Sequence, residues 1–215
     1  YGKTAPQTFM KNLVRDKADG IESLENALKG FSTTFADVFS DWVIANFLDK
    51  TKKMDLSPLN DGKWGYAIDN DYDTTNDMGV NERLPVNFSE QVTLTSQGIA
   101  RSGNANPWSA DYIQMAGYAG NVNIGFDGED MTQFKVGIIK RGPQVDPTVE
   151  FIYLNEKQNG NLIVQNYGTG NTYENMVLVP MIVSSTNSNQ GTYVYSATFA
   201  DLKVAMFPNP VFENE

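Results

Sequence analysis

The sequence predicts an α+β protein: a small N-terminal helical subdomain followed by an antiparallel β-sandwich, of jelly-roll or Ig-like type. Two observations lead there. Apolar residues recur at three- and four-residue steps through roughly the first 50 positions, the period of a helix with one buried face. Beyond about residue 84 the pattern changes to short β-branched and aromatic runs, separated by Gly, Asn, Asp and Pro. A third observation bounds the whole: 215 residues with 40% apolar side chains suffice for one large domain or two modest ones.

The first predicted helix begins after Pro6, carries Phe9, Met10, Leu13 and Val14 on one face, and runs toward Asp19 and Gly20, where glycine can take the left-handed conformation that closes a helix. A second short helix repeats Ile21, Leu24, Ala27 and Leu28, with Gly30 as its expected stop. The third opens with Ser32, Thr33 and Thr34 as N-cap candidates and continues through Phe35, Val38, Phe39, Trp42, Val43, Ala45 and Phe47. So apolar a helix needs several neighbours, and three helices alone provide few.

From residue 49 to about 83 the periodicity dissolves into Lys, Asp, Asn, Gly and Pro, with Trp64 and Tyr66 among them, which reads as a connector longer than ordinary loops. Strands are expected at 91–95, 110–115, 121–126, 134–138, 149–154, 161–165, 176–183 and 192–199. The expected organisation is a helical subdomain at 1–50, a connector at 51–83, a sandwich at 84–206 and a linker at 207–215.

Several function classes are excluded by composition. The chain has no histidine and no cysteine. A His-Glu-x-x-His zinc site, a Ser-His-Asp triad and a Cys-His pair therefore cannot be assembled from it, because each needs imidazole or thiolate as ligand, base or nucleophile. With 26 acidic against 16 basic residues, the formal charge of −10 opposes attraction to nucleic acid or anionic lipid. No apolar run approaches the roughly 18 residues that argue for a membrane span, and no secretory leader stands at Tyr1, so the chain is expected to start mid-protein or as a mature product.

Three stretches carry a family resemblance. Residues 8 to 50, with Phe9, Leu13, Val14, Gly20, Ile21, Ala27, Leu28 and above all the Asp41-Trp42 helix, resemble the helical segment that follows the zinc-binding helix in secreted bacterial zinc metallopeptidases of the immune-inhibitor-A-like and hyicolysin-like type. Gly65-Tyr66 and Leu84-Pro85 are similar to that family's connector, and Asn106-Pro-Trp-Ser-Ala-Asp-Tyr-Ile113 leading to Phe126 to the segment by which it enters its β-domain. The resemblance covers about the first 130 residues. It implies that zinc and the catalytic glutamate belong to a part upstream of Tyr1, and it carries no catalytic residue onto this chain. Phe207-Pro-Asn-Pro210 also looks like the junction before C-terminal sorting domains of exported proteins.

Candidate sites are few. Asp69, Asp71 and Asp73 alternate in the connector and are calcium candidates, since calcium takes hard oxygen ligands. The stretch departs from an EF-hand loop, with Thr74 in place of the turn glycine and Val80 in place of the bidentate glutamate, and a solvated acidic loop explains the same residues. Asp127-Gly128-Glu129-Asp130 reads as a hairpin turn, and Lys140-Arg141 beside Gly142-Pro143 as a turn with two positive charges. Trp64, Tyr66, Trp108, Tyr112 and Tyr118 could form a sugar-binding platform, but core packing accounts better for most large aromatics, Trp42 and Trp108 included. Of these, Trp64 is the one still suspected of binding.

Two functions follow. In the first, the chain is the non-catalytic C-terminal portion of a secreted zinc metallopeptidase, partnered by its catalytic part or by a protein substrate, and Phe35, Phe39, Val43 and Phe47 should form an exposed apolar face. In the second, it is an extracellular or cell-surface binding or structural module, which calcium at the acidic loop could stabilise, and the same helix should be buried on the sandwich. Both readings exclude nucleic acid and membrane insertion.

Overall fold

The computed structural model describes residues 5–51, 87–143, 145, 147–184 and 190–199. Within them lie helices α1 (Ala5–Arg15), α2 (Gly20–Leu28) and α3 (Phe35–Thr51), with a 3₁₀ turn Lys29–Phe31 after α2. Gly20 takes the expected left-handed conformation (φ +59°), though α1 has already ended at Arg15, where Asp16 accepts the Ala18 N–H at 2.8 Å in a local turn. The stop after α2 is not Gly30. Ser32 makes the reversal, at φ +52°, after the 3₁₀ turn has carried the chain past the glycine. Thr34 and Asp37 then form a capping box for α3: the Asp37 N–H donates to Thr34 Oγ1 and the Thr34 N–H to Asp37 Oδ2, both at 3.1 Å.

Nine strands follow: β1 (Glu90–Leu94), β2 (Ile99–Ala105), β3 (Ile113–Gly117), β4 (Gly120–Gly128), β5 (Phe134–Arg141), β6 (Thr148–Ile152), β7 (Asn159–Tyr167), β8 (Asn175–Ile182) and β9 (Gly191–Phe199). They form a five-stranded sheet in the order β1-β3-β8-β5-β6 and a four-stranded sheet in the order β2-β9-β4-β7. The pairs β2·β9, β3·β8, β4·β7 and β5·β6 nest one inside the next. That is the connectivity of one long antiparallel ribbon rolled over on itself, so of the two expected sandwich types the jelly roll is the one formed. β1 is added at the edge and runs parallel to β3, the one departure from antiparallel pairing among the described strands.

β2 escaped the sequence reading because it has no alternation to show. Its residues are Ile-Ala-Arg-Ser-Gly-Asn-Ala, and Gly103 sits mid-strand opposite Tyr193. A Cβ there would lie 2.4 Å from the Tyr193 ring, so the glycine makes room for an aromatic of the core. Asp127 and Gly128 end β4 in one sheet while β5 begins in the other, so the expected hairpin turn is a crossover between sheets. Lys140 and Arg141 are not in a turn: both belong to β5, where Lys140 is buried, ion-paired with Glu150 and placed over the Tyr173 ring. Residues 106–112 lie between β2 and β3, inside the sandwich and not at its start.

One core fills the space between the sheets, with Ile113, Val122, Ile124, Val136, Ile138, Leu178 and Tyr195 at its centre. A second lies on the outer face of the five-stranded sheet. There Phe39, Val43, Ile44, Phe47 and Leu48 of α3 meet Ile139 of β5 and Val177, Val179 and Met181 of β8. β8 thus feeds two cores with alternate side chains, which is why its sequence reads as an unbroken apolar run. Pro180 costs this central strand one ladder bond: its carbonyl accepts the Asp111 N–H at 3.0 Å beside the Ala110↔Met181 bridge, so its ring nitrogen faces residue 111, just before β3, and has no N–H to donate there.

The apolar face expected to stand exposed is therefore closed. Phe39, Val43 and Phe47 are buried and Phe35 is half-buried, because α3 lies on a sheet of its own chain. Trp42, expected in the core, instead stands 53% exposed on the far side of that helix.

Candidate functional site

A groove of about 570 Å³ lies where the first turns of α3 pass over β5 and β6. Asp37, Ser40 and Asp41 supply one wall, Lys135 the floor, and Phe151 and Tyr153 the opposite rim. The capping box fixes the Asp37 rotamer, since its Oδ2 also accepts the Thr34 hydroxyl at 2.7 Å. Its Oδ1 takes the Lys135 ammonium at 2.5 Å. The lysine bond foremost, with Thr34 adding to it against an opposing push from burial, holds the Asp37 carboxyl at about 2. Ser40 donates its hydroxyl back to the Asp37 carbonyl at 2.9 Å. Asp37 is thus held by Thr34 on one oxygen and Lys135 on the other.

The opposite rim is apolar. Phe151 is partly exposed and Tyr153 is 89% exposed. Large apolar side chains gathered at one surface mark interaction sites more often than the same residues scattered singly. β6 is also the last strand of its sheet, pairing with β5 on one side and with no described strand on the other.

Two other surfaces differ from it in kind. At the opposite side of the sandwich, Tyr193 donates to Asp111 and Tyr195 to Glu90, each at 2.6 Å, while Ser89 donates to Asp111 at 2.8 Å and Arg101 lies 3.9 Å from Glu90. Burial pushes both phenols well above their ordinary range, so these carboxylates are hydrogen-bond acceptors that close an edge of the fold. The outer face of the four-stranded sheet carries a shallow polar depression of about 300 Å³ floored by Gly125 and Ser196 and rimmed by Asp127, Asn159 and Asn161.

Of the residues singled out from the sequence, Asp69, Asp71 and Asp73, with Trp64 and Tyr66, lie outside the described residues. Trp108 packs on Phe35 and Phe39, Tyr112 stacks on Phe47, and Tyr118 lies against Phe199, so these three rings are spread over separate places and make no common platform. The described residues contain no group of three or more Asp or Glu side chains placed to hold a metal, and with histidine and cysteine absent the residues present do not fit a zinc centre. The groove went unseen because it joins residues over a hundred positions apart. A partial signal existed, since Phe151 and Tyr153 stand two apart in the expected strand 149–154, a spacing that puts both on one face.

Fold and groove define the class: a β-sandwich module of jelly-roll order with a helical layer on one sheet. No protein-family model matches the chain, and no curated protein matches it. Among solved structures, the pre-peptidase C-terminal domain of a collagenase from Bacillus anthracis is similar over 52% of this chain and 97% of its own, at 13% identity and a TM-score of 0.38. PliG from Salmonella Typhimurium, a periplasmic inhibitor of g-type lysozyme, is similar over 51% of this chain and 98% of its own, at 10% identity and 0.31. Its Aeromonas hydrophila counterpart covers 51% and 96%, at 8% and 0.34. Overlaps this loose say nothing about function. Among the described residues, no helix is long and apolar enough to cross a membrane.

Proposed function

We propose that this chain is a non-catalytic β-sandwich module of an extracellular or cell-surface protein, and that it recognises another protein through the groove between α3 and β6. One observation carries the reading. α3 closes its apolar face on the sheet yet leaves Phe151 and Tyr153 open beside a preformed polar wall. The absence of histidine and cysteine, and the abundance of Asn, Asp, Gly, Thr and Tyr, support the non-catalytic and exported parts of it. The module is taken as residues 84–206, with 1–50 as its helical layer, 51–83 as connector and 207–215 as linker. A photo-crosslinking residue at position 153 should capture a protein from the secreted and surface fraction of the source cell, and the same residue at position 198, on the other sheet, should not. Equal capture at both positions, or none at 153, overturns the reading.

A second reading has its own support: the chain as the C-terminal portion of a secreted zinc metallopeptidase. The sequence resemblance of residues 8 to 50 favours it, and so do exposed apolar side chains on its helices, Met10 and Val14 on α1 and Trp42 on α3, at 53%, 78% and 53%. A crosslinker at position 42 that captures a zinc peptidase unit would establish this reading; capture of no such unit would remove it. Calcium held by Asp69, Asp71 and Asp73 is compatible with both, and calorimetric titration of the protein and its Asp71→Asn variant with calcium tests it.

A further inference from the structure

We propose that β6 is an acceptor edge, along which the partner adds an extended, lysine- or arginine-bearing strand. The inference rests on the groove reading above and gives it a mode and a chemistry. An edge strand presents a row of main-chain donors and acceptors that another strand can take up. Folded proteins usually guard such edges with Lys, Pro or a bulge. β6 reads Thr-Val-Glu-Phe-Ile, with no lysine or proline inside it and a regular register against β5 from Val136↔Ile152 to Lys140↔Thr148. Its one charge, Glu150, is held by Lys140 of the neighbouring strand. β-Branched and aromatic residues at four of the five positions suit strand pairing.

The other side of the sandwich shows what a closed edge looks like here. β1 and β2 are laced across the two sheets by Glu90, which accepts from Tyr195 and lies 3.9 Å from Arg101. β6 has no such lacing among the described residues. An added strand would lie with alternate side chains against Phe151 and Tyr153 and toward the wall made by Asp37 and Asp41, the arrangement by which strand addition combines main-chain affinity with side-chain specificity. The sign of the partner follows from charge. The groove's carboxylates, Asp37 and Asp41, outnumber its one ammonium, Lys135, and the whole chain carries −10, so a basic segment is steered in and an acidic one is repelled.

The test uses the full chain and two synthetic peptides of equal length, one alternating lysine and valine, the other glutamate and valine. In the free protein the amides of residues 148–152 that face away from β5 should exchange with solvent rapidly. The lysine peptide should slow them at least tenfold and bind at least tenfold more tightly than the glutamate peptide. Phe151→Lys should weaken that binding at least tenfold. Tyr153→Ser, at a site so exposed that folding does not depend on it, should weaken it several-fold. Outward β6 amides already protected in the free protein, protection appearing on another strand, or equal binding of the two peptides would each overturn the proposal. Capture at position 153 without β6 protection by the lysine peptide would sink the strand-addition inference and leave the groove reading standing. Loss of both results would sink both.

Discussion

The hydroxyl of Tyr112 donates a hydrogen bond of 2.9 Å to the carbonyl of Val43, in the middle of α3, while its ring stacks on Phe47 at 5.6 Å. One side chain at the start of β3 thus holds the helical layer to the sheet by both its polar and its apolar parts. Tyr112→Phe removes only the bond and should cost about 1 kcal/mol, a fall in Tm of about 2–4 °C for a chain of this size. Tyr112→Ala also removes the stacking and should cost clearly more. Thermal unfolding of the two variants, followed by circular dichroism, checks the order; equal losses would mean the ring stacking contributes nothing, and an unchanged Tm for Tyr112→Phe that the hydroxyl contributes nothing.

Gly137 of β5 lies beneath α3: a Cβ there would stand 3.0 Å from Ile44 Cδ1. Gly137→Ala is expected to destabilise by about 1–3 kcal/mol through overpacking. Ile44→Val removes the methyl that would collide, so the double variant should lose less than the sum of the singles. Denaturant melts of the four proteins give the coupling energy. Additive losses would place the strain elsewhere.

Asp37 sets an acid limit on the helix terminus. Its folded-state pKa of about 2 lies below the ordinary 3.8, so its contribution to stability is fully present above 3.8 and is lost as pH falls through about 2. Carboxylate NMR titration should give a midpoint near 2, and Lys135→Met should raise it toward the ordinary value. An unchanged midpoint in that variant would assign the shift to Thr34.

Gly103 faces Tyr193, whose ring is buried and tied to Asp111 at 2.6 Å and cannot easily move aside. Gly103→Ala should cost about 1–3 kcal/mol. Releasing the ring with Tyr193→Phe should make the pair of changes less than additive by the same melts. A neutral Gly103→Ala would show that β2 shifts outward at no cost.

Much of the fold was legible in the sequence because local period and burial coincide there. Eight of the strands announce themselves by alternation or by the double-sided run of β8, and the helices by their three- and four-residue steps. β2 was not legible, since an edge strand with a single bulky apolar residue shows no period, and Gly103 reads locally as a breaker when its reason is the Tyr193 ring across the strand pair. Trp42 misled in the opposite direction: it shares the apolar composition of α3, but the sheet reaches only one side of that helix.

The same division holds for function. The sequence by itself determined what chemistry is impossible, because a missing imidazole or thiolate cannot be restored by folding. It also determined that the sandwich exists, since the alternating strands have one apolar face that must be buried. Only the tertiary structure decided where α3's apolar face goes and which residues meet in the groove. Asp37 and Lys135 are 98 residues apart, and Phe151 joins them only through the β5–β6 pairing. Such a site is made by strand order and helix placement, which follow from the burial of the whole chain and leave no mark at the positions they bring together.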